Sequence, residues 1–299
     1  MRKAVLVSAI LLVASLVPAP AQAWGAAAHR YIMRRAIELL PPAMKPLFER
    51  NRDELVLRAN DPDLWRVAGF EDEPPNHQID FGVNDYGPYP FVALPRDYDA
   101  AVEKFGVATV RRHGLLPWRV MEEVGNLRRM FQGFGRNQLY VEGNAVLFAS
   151  TLAHYIQDGY QPLHVHNNYD GQLSGQNGLH SRFEAELFER FESRMTINPA
   201  PARAVTSSRD FIFEVAMASY QLVPKILEAD KDAIAGQDAY DDAYFEKFFT
   251  SIKPVIEQQL SAAITGTASA IVTAWTQAGK PALRVGIPRT VQKVRKPVS

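Results

Sequence analysis

Three histidines and two acidic residues in one Gly- and Asn-rich stretch have the types and the spacing of metal ligands. His154 and Asp158 are four residues apart, so on a helix they project from one face, one turn apart. His180 and Glu184 repeat this spacing, and a proline after the first pair ends the helix and brings His164 back between the two pairs. Neutral imidazole and carboxylate are the usual zinc ligands of catalytic sites, so the pattern favours zinc chemistry.

Each of these residues also has an explanation without metal. An isolated His–Asp pair at this spacing is more often a satisfied hydrogen-bonded pair, and Glu184 could be a solvated helix residue. A serine-type triad of Ser150, His154 and Asp158 is disfavoured, because all three lie on one predicted helix and no GxSxG turn exists. The metal interpretation is preferred because the five residues fall within 31 positions of a chain that has only seven histidines.

Three further candidates lie upstream. The stretch RANDPDLWR contains Asp61 and Asp63, and PPNHQIDFG contains His77. Asp61 precedes a proline and could simply cap a helix, and His77 could be exposed in its Pro-rich loop. His113 and His166 have no partners at an informative spacing, so we expect them at the surface or behind the ligands.

The first 23 residues have the three parts of a secretory signal. Arg2 and Lys3 precede an apolar run over 4–17, and a small-residue cleavage motif ends at Ala23, which would leave Trp24 as the mature terminus. The apolar run is too short to span a hydrocarbon core of about 30 Å comfortably. We therefore expect a cleaved, exported protein, periplasmic or extracellular, without a stable membrane anchor.

The composition excludes some classes of protein. Without the signal, 31 basic residues stand against 33 acidic ones, which argues against a highly basic protein that wraps nucleic acid. Hydrophobic residues make up 47%, enough for a sizeable core. An exported chain with no cysteine must be held together by packing or by metal. The tail over 280–299 is basic and Pro-containing, and we expect it to be disordered.

The elements that must position these residues read as helices. His29, Met33, Ala36 and Leu40 share one stripe of a first helix. Further helices are predicted near 43–59, 97–112, 116–133, 140–158, 179–194, 207–228 and 240–277. Long polar loops are predicted over 60–96 and 160–178, and no run of strands is recognisable. The sequence predicts an all-α fold with one domain over 24–279.

Together with the segment WGAAAH, these residues resemble the superfamily of zinc-dependent phospholipases C and single-strand-specific zinc nucleases. The shared pattern is an amino-terminal Trp, a helix bearing His, an Asp, a loop His, HxxxD-x5-H ending in QPLH, and HxxxE. The resemblance covers most of 24–195 and implies a single multi-helix domain whose long loops surround a cleft with three zinc ions.

Position by position, the resemblance implies nine ligands. The first ion would bind Asp61, His77, His154 and Asp158. The second would bind the amino group and carbonyl oxygen of Trp24, together with His29 and with Asp158, which bridges to the first ion. The third would bind His164, His180 and Glu184. Asp61 would also orient the attacking water or accept its proton, with Asp63 left open as the alternative.

The implied reaction is hydrolysis of a phosphodiester by a zinc-activated water, with no other cofactor, in a protein expected to be a monomer. The spacing WGxxxH and the stretch YQPLHV are closer to the nucleases. The short gap between His164 and His180, the acidic residue Glu184 and the absence of cysteine are closer to the phospholipases. We expect a phospholipase C-like enzyme; the alternatives are a single-strand-specific endonuclease and 3′-nucleotidase, and a secreted helical protein that binds zinc without catalysis.

Overall fold

The computed structural model describes residues 24–285 apart from 137 and 139. The predicted signal peptide and most of the basic tail lie outside these residues. Within them the fold is helical, and the only β pairing is an isolated parallel bridge between Phe81 and His166. This confirms the all-α prediction. None of the described helices combines the length and the apolar character needed to cross a membrane.

The α-helices are numbered here in chain order. They are α1 Ala26–Glu38, α2 Lys45–Arg50, α3 Arg52–Arg58, α4 Asp61–Val67, α5 Tyr98–Phe105, α6 Val107–Arg112, α7 Leu116–Gly135, α8 Val141–Tyr160, α9 Leu179–Phe191, α10 Ser208–Tyr220, α11 Val223–Ile234 and α12 Asp242–Gln277. Helix α9 is composite: α-helical Leu179–Ser181, π-helical Arg182–Glu186 and α-helical Leu187–Phe191 follow each other without a gap. Short 3-10 helices cover Pro74–His77, Asn84–Tyr86, Pro162–Val165 and Glu192–Arg194.

Helix α8 is the central element of the core. It packs against α1, α3, α7, α10 and α12, and all of its residues from Ala149 to Gly159 are buried. A helix that is apolar on every side belongs in the interior, which explains the run of small and aliphatic residues. The buried polar residues His154, Gln157 and Asp158 therefore need partners inside the protein.

Several predicted boundaries are wrong. The helix predicted over 43–59 is two helices that meet at Asn51, and the one over 97–112 is divided by Gly106, whose φ is 80°. The one over 207–228 is divided after Tyr220, and Pro224 enters the first turn of the next helix. The region 60–96 is not all loop, because Asp61 begins helix α4. The starts of the two long helices α8 and α12 were predicted to within two residues.

Candidate metal centre

The predicted ligands gather into three buried groups. Each group contains three side chains whose ligand atoms lie within 4.8 Å of one another. We call them the His29 group (His29, His154, Asp158), the His77 group (Asp63, His77, His154) and the His180 group (His164, His180, Glu184). The clustering of these residues, which are far apart in sequence, confirms that the chain brings together side chains able to hold metal ions.

Asp158 lies between the first two groups. Its Oδ1 is 3.4 Å from Nε2 of His29, while its Oδ2 is 3.1 Å from Nδ1 of His77 and 3.3 Å from Nε2 of His154. The two carboxylate oxygens thus face different histidines. Helix α8 supplies both His154 and Asp158, so the predicted one-turn spacing sets the geometry at the centre of both groups.

The aspartate in the His77 group is Asp63, the alternative left open above, rather than Asp61. Oδ1 of Asp63 is 3.9 Å from Nδ1 of His77, and Asp63 is buried. The side chain of Asp61 is 22% exposed and lies 3.6 Å from the guanidinium of Arg58. Residues two apart on a helix point in nearly opposite directions, so only one of the two can face the interior.

The His180 group is formed by α9 and the 3-10 helix that follows α8. Nε2 of His180 is 2.9 Å from Oε2 of Glu184, and Nε2 of His164 is 3.5 Å from the same oxygen. Gln161 Nε2 donates to this oxygen at 2.8 Å. The two imidazoles approach each other, with their Nε2 atoms 3.2 Å apart. The i, i+4 pair predicted from the sequence is present, although its helix has π-helical geometry over Arg182–Glu186.

The turn before α9 is fixed on both sides. The carboxylate of Asp170 accepts hydrogen bonds from the backbone N–H groups of Gly178 (2.9 Å) and His180 (3.2 Å). Two residues after His180, Nη2 of Arg182 is 3.0 Å from Oδ1 of the fully buried Asp230. π-Helical turns often occur at functional sites, and here the turn begins two residues after His180 and contains Glu184.

The tautomers of four imidazoles follow from their hydrogen bonds. Each of the four donates Nδ1–H to an oxygen and turns Nε2 toward its group: His29 to Gln157 Oε1 (2.6 Å), His154 to the carbonyl of Ala59 (2.8 Å), His164 to the carbonyl of His77 (2.6 Å), and His180 to the carbonyl of Tyr169 (3.0 Å). Such contacts on the outer nitrogen are typical of histidines that bind metal. His77 has the opposite orientation, since its Nδ1 faces the group.

The carboxylates of Glu184 and Asp158 are ionised at neutral pH despite their burial. Burial raises the pKa of Glu184, but the neighbouring His180 and His164 outweigh it and lower the pKa to about 2. Burial likewise opposes ionisation of Asp158, yet His154 and other imidazoles hold its pKa well below the usual range. Burial lowers the pKa of His154, which keeps it a neutral ligand.

Several nitrogen and oxygen atoms of the three groups lack hydrogen-bond partners within the protein, which suits the binding of a cation. Nε2 of His29, Oδ1 of Asp158, Oε1 of Glu184 and both carboxylate oxygens of Asp63 have no hydrogen-bond partner among the described residues. A buried polar atom without a partner costs about 1–3 kcal/mol or more, and several such atoms converge here. A metal ion would satisfy the lone pairs that converge there.

A cleft of about 640 Å³ opens at two of the groups. It is lined by His77, His164 and His180 together with Tyr169 and three arginines, Arg66, Arg111 and Arg112. Guanidinium groups at the mouth of a cleft favour an anionic ligand, above all a phosphate or a carboxylate.

The other candidates lie as follows. Trp24 is buried; its indole N–H donates to the carbonyl of Gln157 at 2.8 Å, and its ring lies 6.0 Å from that of Phe183. The predicted role of its amino group depends on cleavage after Ala23, which is outside the described residues. His113 pairs with Asp85, and His166 stacks on Tyr220, so both lie outside the three groups.

Several supporting residues were missed from the sequence. Gln157 holds both His29 and the indole of Trp24, and Glu73 lies against His77. Glu73 is four residues before His77, the same spacing that identified the other pairs, and this spacing could have indicated it. The partner of Arg182 in α11, Asp230, left no local signal because the two are 48 positions apart.

No protein-family model matches the chain, and no curated protein matches it either.

Proposed function

We propose that the three groups form a three-zinc centre and that the protein is a zinc-dependent phosphodiesterase of the phospholipase C and nuclease superfamily. The observation that carries the proposal is the convergence of buried imidazoles and carboxylates, with unpartnered lone pairs, beside a cleft lined by arginines. Structural zinc sites are closed, whereas a centre beside an open cleft leaves room for a substrate.

Zinc is the metal that these donors suit best. Five imidazole nitrogens and three carboxylates form the groups, and no thiolate is present in the chain. Magnesium and calcium prefer oxygen ligands, whereas zinc accepts mixed nitrogen and oxygen donors. The described residues would supply Asp63, His77, His154 and Asp158 to one ion, His29 and Asp158 to a second, and His164, His180 and Glu184 to a third.

Export is part of this proposal. Cleavage after Ala23 would give Trp24 a free amino group, whose ordinary pKa is about 7.7–8.0, so that it can lose its proton and complete the second site. An extra residue before Trp24 leaves only an amide there. We expect a protein extended by one alanine to lose one of three zinc ions, while the same protein beginning at Trp24 keeps all three.

The residues of the chain have distinct roles in the proposed hydrolysis. Bound zinc would lower the pKa of a water toward about 7 and stabilise negative charge on the phosphodiester. Asp63 can orient the attacking water and accept its proton, because its carboxylate takes no hydrogen bond from a described residue. Burial raises the pKa of Asp63 in the metal-free site. Water adds its oxygen to phosphorus, and the ester oxygen leaves with a proton.

We favour phospholipids as the substrate. The arginines of the cleft suit the phosphate of a head group, and Val67 and Phe70, close in sequence to Arg66, are 55% and 61% exposed. Exposed apolar side chains beside a phosphate site suit contact with lipid. Single-stranded nucleic acid is the second candidate, because Tyr169 lines the cleft, is 43% exposed and could stack on a base.

The test is a parallel assay of the protein beginning at Trp24 on phosphatidylcholine vesicles and on single-stranded DNA. Each substrate is tested with zinc, after exhaustive chelation with metal analysis, and after zinc is restored. We expect hydrolysis of phosphatidylcholine that is lost and recovered with zinc. Hydrolysis of DNA alone would identify the nuclease, and zinc binding without turnover would identify a non-catalytic zinc protein. Full activity in protein verified to be zinc-free would contradict the proposal.

A further inference from the structure

His77 differs from the other imidazoles of the centre in its outer partner. The other four donate Nδ1–H to a neutral oxygen, whereas Nε2 of His77 lies 3.3 Å from Oε1 of Glu73. No other described imidazole of the three groups has a carboxylate behind it. This contact is at ion-pair distance, and Nε2 of His77 has no aligned hydrogen-bond partner among the described residues.

Glu73 is a buried carboxylate that is itself held in place. The hydroxyl of Tyr155 donates to Oε1 of Glu73, and Nδ2 of Asn76 is 3.3 Å from Oε2. Tyr155 follows His154 directly on α8, so the central helix fixes the carboxylate behind a loop histidine. A buried carboxyl group needs hydrogen-bond donors, and these two donors hold Glu73 in place beside His77.

The side chain of Tyr155, which donates to Glu73, is itself held by neighbouring side chains. The guanidinium of Arg119 lies 5.2 Å from the centre of the Tyr155 ring and pairs with Glu123 at 2.9 Å. Glu123 in turn accepts a hydrogen bond from Thr151 on α8 at 2.9 Å. The ring of Tyr155 is thereby confined, and so is the direction in which its hydroxyl points.

We infer that Glu73, oriented by Tyr155, is a positioning residue that accepts a hydrogen bond from Nε2–H of His77 in the metal-loaded protein and thereby presents Nδ1 of His77 to the metal. The inference rests on the proposed metal centre. A carboxylate behind an imidazole fixes its tautomer and makes it a stronger donor, and loss of such partners typically weakens metal binding by about 10–100-fold. His77 sits on a Pro-rich 3-10 helix rather than a long helix, so a contact from another element such as Glu73 helps to fix the direction of its ring.

The first test uses the unmutated protein. Nitrogen-15 NMR of the zinc-loaded protein distinguishes the protonated from the metal-bound nitrogen of each imidazole. We expect His29, His154, His164 and His180 to carry hydrogen on Nδ1 and His77 alone to carry it on Nε2. If His77 binds through Nε2, the inference is wrong whatever the variants do.

The second test measures zinc stoichiometry and affinity by chelator competition. Glu73→Ala should weaken one of the three sites by about 10–100-fold, and Glu73→Gln, which keeps an acceptor without the charge, should recover part of the loss. Tyr155→Phe should give a smaller effect on the same site. Asp85→Asn is the matched control, since it removes a carboxylate 2.7 Å from Nε2 of His113, outside the groups; it should change no zinc site.

The outcomes separate the inference from the proposed function. Three unchanged affinities in Glu73→Ala would overturn the inference and leave the zinc centre intact. Failure of the unmutated protein to bind zinc would overturn both. Equal losses in Glu73→Gln and Glu73→Ala, without any recovery, would also contradict a role through the acceptor oxygen.

Discussion

At the scale of single residues, the pair Asp61 and Asp63 decides how the His77 group is built. The two are chemically identical, yet Asp63 is buried within 3.9 Å of His77 and Asp61 pairs with Arg58 at the surface. Asp63→Asn should remove one zinc ion and reduce hydrolysis at least about 100-fold, since it removes both a ligand and the proposed base. Asp61→Asn should change neither zinc content nor turnover. The opposite pattern would restore Asp61 as the ligand.

Asp80 gives a second prediction at this scale. Its Oδ1 has no hydrogen-bond partner among the described residues, and burial raises its pKa from 3.8 to about 7. When the pKa of a carboxyl group is higher in the folded than in the unfolded protein, ionisation of that group costs more free energy in the folded protein and lowers the stability. Stability should therefore fall as the pH rises from about 4 to about 7, by at most about 4 kcal/mol, because one pKa unit corresponds to about 1.4 kcal/mol.

The variant Asp80→Asn cannot ionise and should remove this pH dependence. In chelator, to keep metal binding out of the comparison, its free energy of unfolding should exceed that of the unmutated protein above pH 7. The advantage should disappear near pH 4. Urea unfolding at several pH values measures it, with the exposed Asp238→Asn as control. A difference that does not depend on pH would contradict the assignment.

At the scale of elements, the start of α1 depends on a close approach to α9. A Cβ on Gly25 would lie 2.8 Å from the Cβ and 3.0 Å from the Cα of Ala185, in the π-helical turn beside Glu184. Gly25→Ala should therefore push α1, which carries His29, away from α9, and it should cost about 1–3 kcal/mol of stability.

Gly143 in α8 is the matched control for this prediction. A Cβ there meets no heavy atom within 4 Å. Because glycine is a poor helix former, Gly143→Ala should add up to about 1 kcal/mol. Thermal unfolding of the two variants in chelator should thus change in opposite directions, and zinc affinity should fall in Gly25→Ala only. A gain in stability for both would mean that α1 can shift without cost.

How much the sequence could predict also follows from the elements. The pairs His154 with Asp158 and His180 with Glu184 were predictable because helical spacing alone brings them together. The choice of Asp63 was not, since it depends on which face of a short helix is turned inward. Glu73 and Asp230 act through contacts between separate elements, and no local pattern encodes such contacts fully.

At the scale of the whole molecule, the three groups join segments that are distant in the chain. Helix α1 contributes His29, the loop after α4 contributes His77, α8 contributes His154 and Asp158, and α9 contributes its own pair. The chain contains no cysteine, so no disulfide can join them. In the metal-free protein, carboxylates and imidazole nitrogens would face each other with unsatisfied lone pairs. Bound metal should therefore stabilise the fold.

Removal of zinc should lower the melting temperature by about 10 °C. A ligand present at about 1,000 times its Kd adds about 4 kcal/mol of stability, and 1 kcal/mol shifts the melting temperature of a protein of this size by about 2–4 °C. Calorimetry of the zinc-loaded, chelated and zinc-restored protein measures the shift. Glu184→Gln, which removes a ligand of the His180 group alone, should lose only part of it. Identical melting curves with and without zinc would mean that packing alone holds these segments together.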